Sequence, residues 1–156
     1  MTLHVEGIDD LLRLQGQELG VSEWRPITQE LMNQFGDATG NRQWIHVDAE
    51  RARQESPIGS TIAAGIQLLA MAAAMQTMEL IQLAGFTLVR DRGYDRVRYT
   101  YSVLPGSCIR LRVTLADVKI VSKSAVDIWL EQALEVKVDD RVQTACVATN
   151  IIRLDK

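Results

Sequence analysis

The chain has 156 residues, 47% of them apolar and 24% charged, an ordinary globular balance that excludes disordered, collagen-like and mucin-like classes. Lys and Arg total 17 against 20 Asp and Glu, a formal charge of -3, which argues against nucleic acid and membrane surfaces as partners. A length of 156 residues predicts one domain spanning 1–156.

The two cysteines, Cys108 and Cys146, lie in strand-like runs with no CxxC or Cys/His framework, so no metal site is expected. They read as buried free thiols of a reducing compartment. The start, MTLHVEGIDD, lacks the basic segment and apolar run of a signal peptide, and the expectation is a cytoplasmic protein. The apolar stretch 61–85 is interrupted by Gln67, Gln76, Glu79 and Gln82, which predicts a buried helix rather than a membrane span.

In chain order, residues 3–15 predict a short first helix and 17–25 an edge strand. Thr28 is a cap for a helix whose apolar face carries Ile27, Leu31 and Phe35 at spacing four, stopped by Gly40. The stretch 41–60 reads as a loop holding a short helix, AERAR, capped by Asp48, then the constrained turn of Ser56-Pro57 and Gly59-Ser60. Ser60 or Thr61 caps the long helix TIAAGIQLLAMAAAMQTMELIQLA, about 33 Å over about twenty-two residues at 1.5 Å each. Its alanines and few charges imply burial on most sides, with Met71, Met75 and Met78 as a core stripe or the lining of an acyl tunnel.

The remainder reads as strands: FTLVR, DRVRYTYSV, SCIRLRVTLADVKIV, AVDIWLEQALEVKV and RVQTACVATNIIRL. In the fourth, Val126, Ile128, Leu130, Leu134, Val136 and Val138 share one parity, while Asp127, Glu131, Glu135 and Lys137 take the other. One face is dry and one wet, which indicates an antiparallel sheet. A helix-rich first half and a hairpin-rich second half predict an α+β fold with one long helix against the sheet.

The segment FGDATGNRQWIHVDAERARQESPIGSTIAAG, followed by GYDRVRYTYSVLPGSCIRLRVTLADV, resembles the MaoC-like dehydratase family, which includes the R-specific enoyl-CoA hydratases. The resemblance runs from about Ile27 to the last strand. It implies a hot-dog fold, a curved antiparallel sheet around one long central helix. It further implies a homodimer or dimer of dimers with active sites at the subunit interface. The implied activity is hydration or dehydration of a 2-enoyl thioester, with coenzyme A as substrate carrier and no other cofactor.

The family's loop carries Asp and His at spacing five. The His matches His46, whereas the Asp position holds Asn41. Close relatives read AHG before the helix body; this chain reads AAG, with Ala64 at the middle position. The amide that stabilises the thioester oxygen in the family maps to Gly65. Hydration needs a base for water, a proton for the α-carbon and donors for the developing oxyanion. Histidine suits the first role, and amides at a helix start suit the last. Asn41 orients water but takes up no proton. Three explanations stay open: an engineered inactivation, a lost or changed activity, or proton transfer by His46 alone.

The other residues of this region have two readings each. Trp44 and Ile45 line an acyl pocket or simply pack. Arg90, Arg92, Arg96 and Arg98 bind the phosphates of coenzyme A or form a solvated face diluted by Asp91 and Asp95. The rival functions are a catalytically inactive protein that binds an acyl-CoA or another apolar ligand, and a thioesterase.

Overall fold

The computed structural model describes residues 3–156, the side chain of Met78 excepted, so that residue's place in the methionine stripe lies outside the described residues. The chain begins with strand β1 (Leu3–His4) and helix α1 (Ile8–Leu14), rather than one helix over 3–15. Gly7, extended at φ -175°, separates them, and β1 pairs in parallel with β4 (Ile81–Gln82). The expected edge strand is two pieces, β2 (Glu18–Val21) and β3 (Arg25–Pro26), both paired with β6 (Cys108–Ser122).

Helix α2 (Gln29–Thr39) has the predicted ends. The Thr28 hydroxyl oxygen accepts from the Leu31 amide at 3.1 Å, and Gly40 stops the helix in the left-handed region at φ 74°. Its buried helical residues are Met32 and Gly36; Ile27 is buried just before it, and Leu31 and Phe35 are only partly covered. A single turn, α3 (Trp44–Val47), occupies ground predicted as loop. Helix α4 (Ala49–Glu55) follows, with Asp48 accepting from the Arg51 amide at 3.0 Å as predicted.

The long helix is shorter than its composition implies. Helix α5 is Gly65–Met75, continued by a π-helical turn over Gln76–Leu80. Residues 61–64 are not helical, and neighbours claim the amides of Ile62 and Ala63. Ile62 N–H donates to the Ile45 carbonyl at 3.0 Å, and Ala63 N–H to that of Val103 at 2.8 Å. The N-cap is therefore Ala64, whose methyl supplies no side-chain cap, and not Ser60 or Thr61.

Strand β5 (Leu88–Tyr99) merges the two strands expected there, with register shifts at Asp91/Gly93 and Asp95/Arg98. β6, β7 (Ala125–Val138) and β8 (Arg141–Asp155) complete a sheet in the order β2-β6-β7-β8-β5. All neighbouring pairs in it are antiparallel. One face carries Ile109, Leu111, Val113 and Leu115 of β6 and Val126, Ile128, Leu130, Leu134 and Val136 of β7, all at most 1% exposed. These join Leu68, Ala72 and Met75 of α5 in one apolar cluster, with Met71 packed against it. The predicted parity of β7 is thus the observed one, in an α+β architecture. Among the described residues no helix is long and apolar enough to cross a membrane.

The core holds a run of carboxamides. Gln132 donates to Gln76 at 2.7 Å, Gln76 to Asn150 at 2.9 Å, and Asn150 to the Asp91 carboxylate at 3.0 Å. Gln132 thus sits at an inward position of β7 without leaving its amide nitrogen unpaired.

Candidate active site

The α2–α3 connection brings His46 beside the segment that leads into α5. Glycine at 36 permits the approach: a Cβ there would lie 3.0 Å from Val47 Cγ1 and 3.1 Å from the Asn41 carbonyl oxygen. The His46 backbone is then held from two sides. Its N–H donates to the Gln43 carbonyl at 2.9 Å, and its own carbonyl accepts from Gln29 Nε2 at 2.9 Å. Gln29 is a three-way junction, since the same amide group also donates to Asn33 at 2.8 Å and accepts from the Thr61 hydroxyl.

The imidazole is oriented by one strong contact. His46 Nδ1 lies 2.7 Å from the carbonyl oxygen of Ile62. A carbonyl oxygen only accepts, so Nδ1 carries a proton, and in the neutral ring the lone pair is on Nε2. This is the tautomer a general base needs.

His46 and Gly65 line one cavity of about 250 Å³ together with Leu68, Tyr99, Thr100 and Ser102. Helix α5 opens at Gly65 with no side-chain cap, so its first turn offers N–H groups and the positive end of the helix dipole to that space. Tyr99 covers the other side of Gly65. A Cβ on Gly65 would lie 2.6 Å from Tyr99 Cδ2 and Cε2, so only glycine fits under this ring. Burial, and then the Cys146 thiol, push the Tyr99 phenol above its ordinary value, which keeps it neutral. Burial raises the Cys146 thiol to about 11, an unreactive state.

Asn41 stands apart from this cavity among the described residues. It is half-buried after Gly40, with its backbone N–H donating to the Thr39 hydroxyl at 3.3 Å. The described lining contains no carboxylate. Trp44 and Ile45 do not line it either: the Arg51 guanidinium sits 4.6 Å from the Trp44 ring centroid, and Ile45 contributes its carbonyl to Ile62.

The four arginines of β5 have different partners. Arg90 pairs with Asp155, Arg98 donates to the Val97 carbonyl, and Arg96 lines a separate depression with Arg112, Thr114 and Glu131. Arg92 acts electrostatically on Asp127. None of the four is among the residues described around His46.

Gln29, Ile62 and Tyr99 are site residues that inspection of the sequence passes over. Gln29 and Tyr99 have no motif of their own, and Ile62 acts through its carbonyl.

The chain has known relatives. The chain is 37% identical over 148 residues to "3-hydroxyacyl-thioester dehydratase Z" of Mycobacterium tuberculosis, covering 95% of each protein. It is 39% identical over 118 residues to "Nodulation protein N" of Rhizobium meliloti, covering 76% of this chain and 73% of that one. Its fold matches the crystal structure of a MaoC-like dehydratase from Rhodospirillum rubrum with a TM-score of 0.77, at 17% identity and over 96% of both chains. That likeness makes the α+β architecture hot-dog-like. Residues 12–137 match the family model described as "MaoC like domain", and the chain belongs to that family.

Proposed function

We propose that the protein is a lyase that reversibly adds water to a trans-2-enoyl thioester, the reverse direction being dehydration of a 3-hydroxyacyl thioester. The observation that carries this reading is the His46 Nδ1–Ile62 carbonyl contact of 2.7 Å, which leaves Nε2 basic in a cavity shared with the uncapped start of α5. Family membership and the M. tuberculosis relative that carries the dehydratase name support it.

In the hydration direction, Nε2 of His46 takes a proton from water as the oxygen bonds to C3. The C2–C3 π electrons move towards the thioester carbonyl. The amide of Gly65 donates to that oxygen as its charge grows. C2 then receives a proton, returned from the imidazolium. The resemblance, not the described cavity lining, assigns Asn41 the orienting of water; its carboxamide does not titrate at working pH.

The assembly this reading implies is a pair of identical chains. The outward side of α5 exposes Ile66 at 53%, beside exposed Ala70 and Ala74, and β5 stands at the end of the sheet order. A second copy against this apolar side and the free edge of β5 covers both. Within each chain, residues 1–156 form one domain whose sheet curls round α5, a reading supported by the single apolar cluster that both share.

A second reading, binding of an acyl-CoA without turnover, is favoured by Asn41 and by the absence of a carboxylate from the described cavity lining. The assay that decides is loss of the conjugated enoyl absorbance of trans-2-butenoyl-CoA, run beside a free-thiol reagent. Falling absorbance without thiol release supports the lyase. Thiol release identifies a thioesterase, and saturable binding with neither signal identifies a binding protein.

A further inference from the structure

We propose that the ring of Tyr99 is the wall that restricts this site to thioesters unbranched at C2. The inference rests on the reading above only in placing a thioester carbonyl at the Gly65 amide.

The ring fills the volume that a side chain at 65 would take, with Cδ2 and Cε2 at 2.6 Å and Cγ at 2.8 Å from the Cβ position of Gly65. Its attachment is fixed by the sheet. Tyr99 is paired with Cys146 of β8, and the next residue is tied twice: Thr100 N–H donates to the Ala145 carbonyl at 2.9 Å and its hydroxyl to that of Thr144 at 2.6 Å. Tyr99 as a whole residue is 48% exposed, with its ring against the helix start.

C2 of an acyl thioester is bonded directly to the carbonyl carbon. When the carbonyl oxygen accepts from the Gly65 amide, C2 comes close to the α-carbon of Gly65, which the ring covers. A planar conjugated enoyl thioester lies flat against an aromatic wall, whereas on the tetrahedral C2 of a saturated or 3-hydroxyacyl thioester a methyl group projects out of the carbonyl plane and into it. Rejection here is steric, and one methyl or methylene in an apolar slot is worth about 10–200-fold.

Binding is the first readout, because it needs no turnover. Affinities of butanoyl-CoA and 2-methylbutanoyl-CoA are measured by calorimetry for the wild type, Tyr99→Phe, Tyr99→Ala and Tyr99→Val. The wild type and Tyr99→Phe are expected to prefer the unbranched ligand by about tenfold or more. Tyr99→Ala is expected to bring the two within about threefold, mainly by tighter binding of the branched ligand. Tyr99→Val retains the strand preference of a β-branched residue and carries the same expectation if the alanine variant fails to fold.

A wild type that does not discriminate, or small-residue variants that discriminate as strongly as the wild type, overturns the proposal. So does a wild type that binds neither ligand. Hydration of trans-2-butenoyl-CoA and its 2-methyl derivative is followed in parallel. The expected binding pattern with no hydration of either removes the lyase reading and leaves the wall in place.

Discussion

His46 is held by groups that do no chemistry themselves, and Gln29 is the chief of them. Its amide links α2 to the His46 carbonyl and its oxygen links α2 to Thr61, one residue before the carbonyl that sets the imidazole tautomer. Gln29→Ala is expected to lower kcat by about 10–100-fold with a smaller change in KM, because misplacement of a proton carrier costs rate before it costs binding. Gln29→Glu keeps an acceptor for Thr61 and loses the donor to His46; it is expected to behave like the alanine variant. An unchanged kcat in both removes the positioning role. Asn41 poses the complementary question. On the proposed lyase reading, Asn41→Asp places a carboxylate where the resemblance puts the family's Asp and is expected to raise the hydration rate by about tenfold or more, within the usual reach of a general acid–base. Steady-state kinetics on trans-2-butenoyl-CoA checks it. No gain, together with loss of activity in His46→Ala, leaves the imidazole as sole proton carrier. His46 and Gly65, which line one cavity, stand out in the sequence through the stretch that carries the family resemblance. Gln29 and Tyr99 are not, because Gln29 meets His46 across 17 residues and Tyr99 meets Gly65 across 34.

Helix α5 is the element on which composition misleads. An alanine-rich, nearly uncharged run over 61–84 reads as continuous helix, yet its first four residues are not helical and its last turns are π-helical and then strand. Both ends are decided by distant partners. At the start, Ile45 and Val103 take the amides of Ile62 and Ala63. At the far end, Gln76 meets Gln132 and Asn150 from two different strands just where the α-helix becomes a π turn. Propensity has no access to such contacts, and the early end has a consequence for the site: a helix capped by Thr61 would not open at Gly65. Gln76→Ala strands the amide nitrogen of Gln132 and the oxygen of Asn150 inside the core. The expected loss is about 1–3 kcal/mol, the ordinary cost of leaving buried polar groups unpaired. Urea unfolding followed by far-UV circular dichroism measures it. A change within error assigns the π turn to apolar packing alone.

Across the whole molecule the sheet was the legible part, since a two-residue alternation is written locally along β6 and β7 and each strand there pairs with its sequence neighbour. What alternation does not reveal is how the wet face is neutralised. Opposite charges there stand directly across from each other: Arg110 faces Glu135, and Asp127 faces Arg153. Arg110 Nε donates to Glu135 at 2.6 Å and Arg112 Nε at 3.1 Å, while Arg153 Nη2 donates to Asp127 at 2.8 Å. Burial pushes the Glu135 carboxyl up, but hydrogen bonds from Arg110 and Arg112 more than offset it, leaving it below the ordinary carboxylate range. The Arg153 hydrogen bond does the same for Asp127 against a smaller burial effect. A carboxyl with a lower pKa in the folded state than in the unfolded state stabilises the fold above the unfolded value, and the gain is lost as pH falls through the folded one. Thermal unfolding is therefore expected to show Tm level near neutrality and falling below about pH 4, where free carboxyls begin to protonate. Glu135→Gln and Asp127→Asn combined should lower Tm at pH 7 and flatten the acid fall, because the variant has less left to lose. High salt should narrow the gap between variant and wild type, as these pairs sit on a face that water reaches. An acid fall as steep in the double variant as in the wild type would move the pH sensitivity to carboxylates other than these cross-strand pairs.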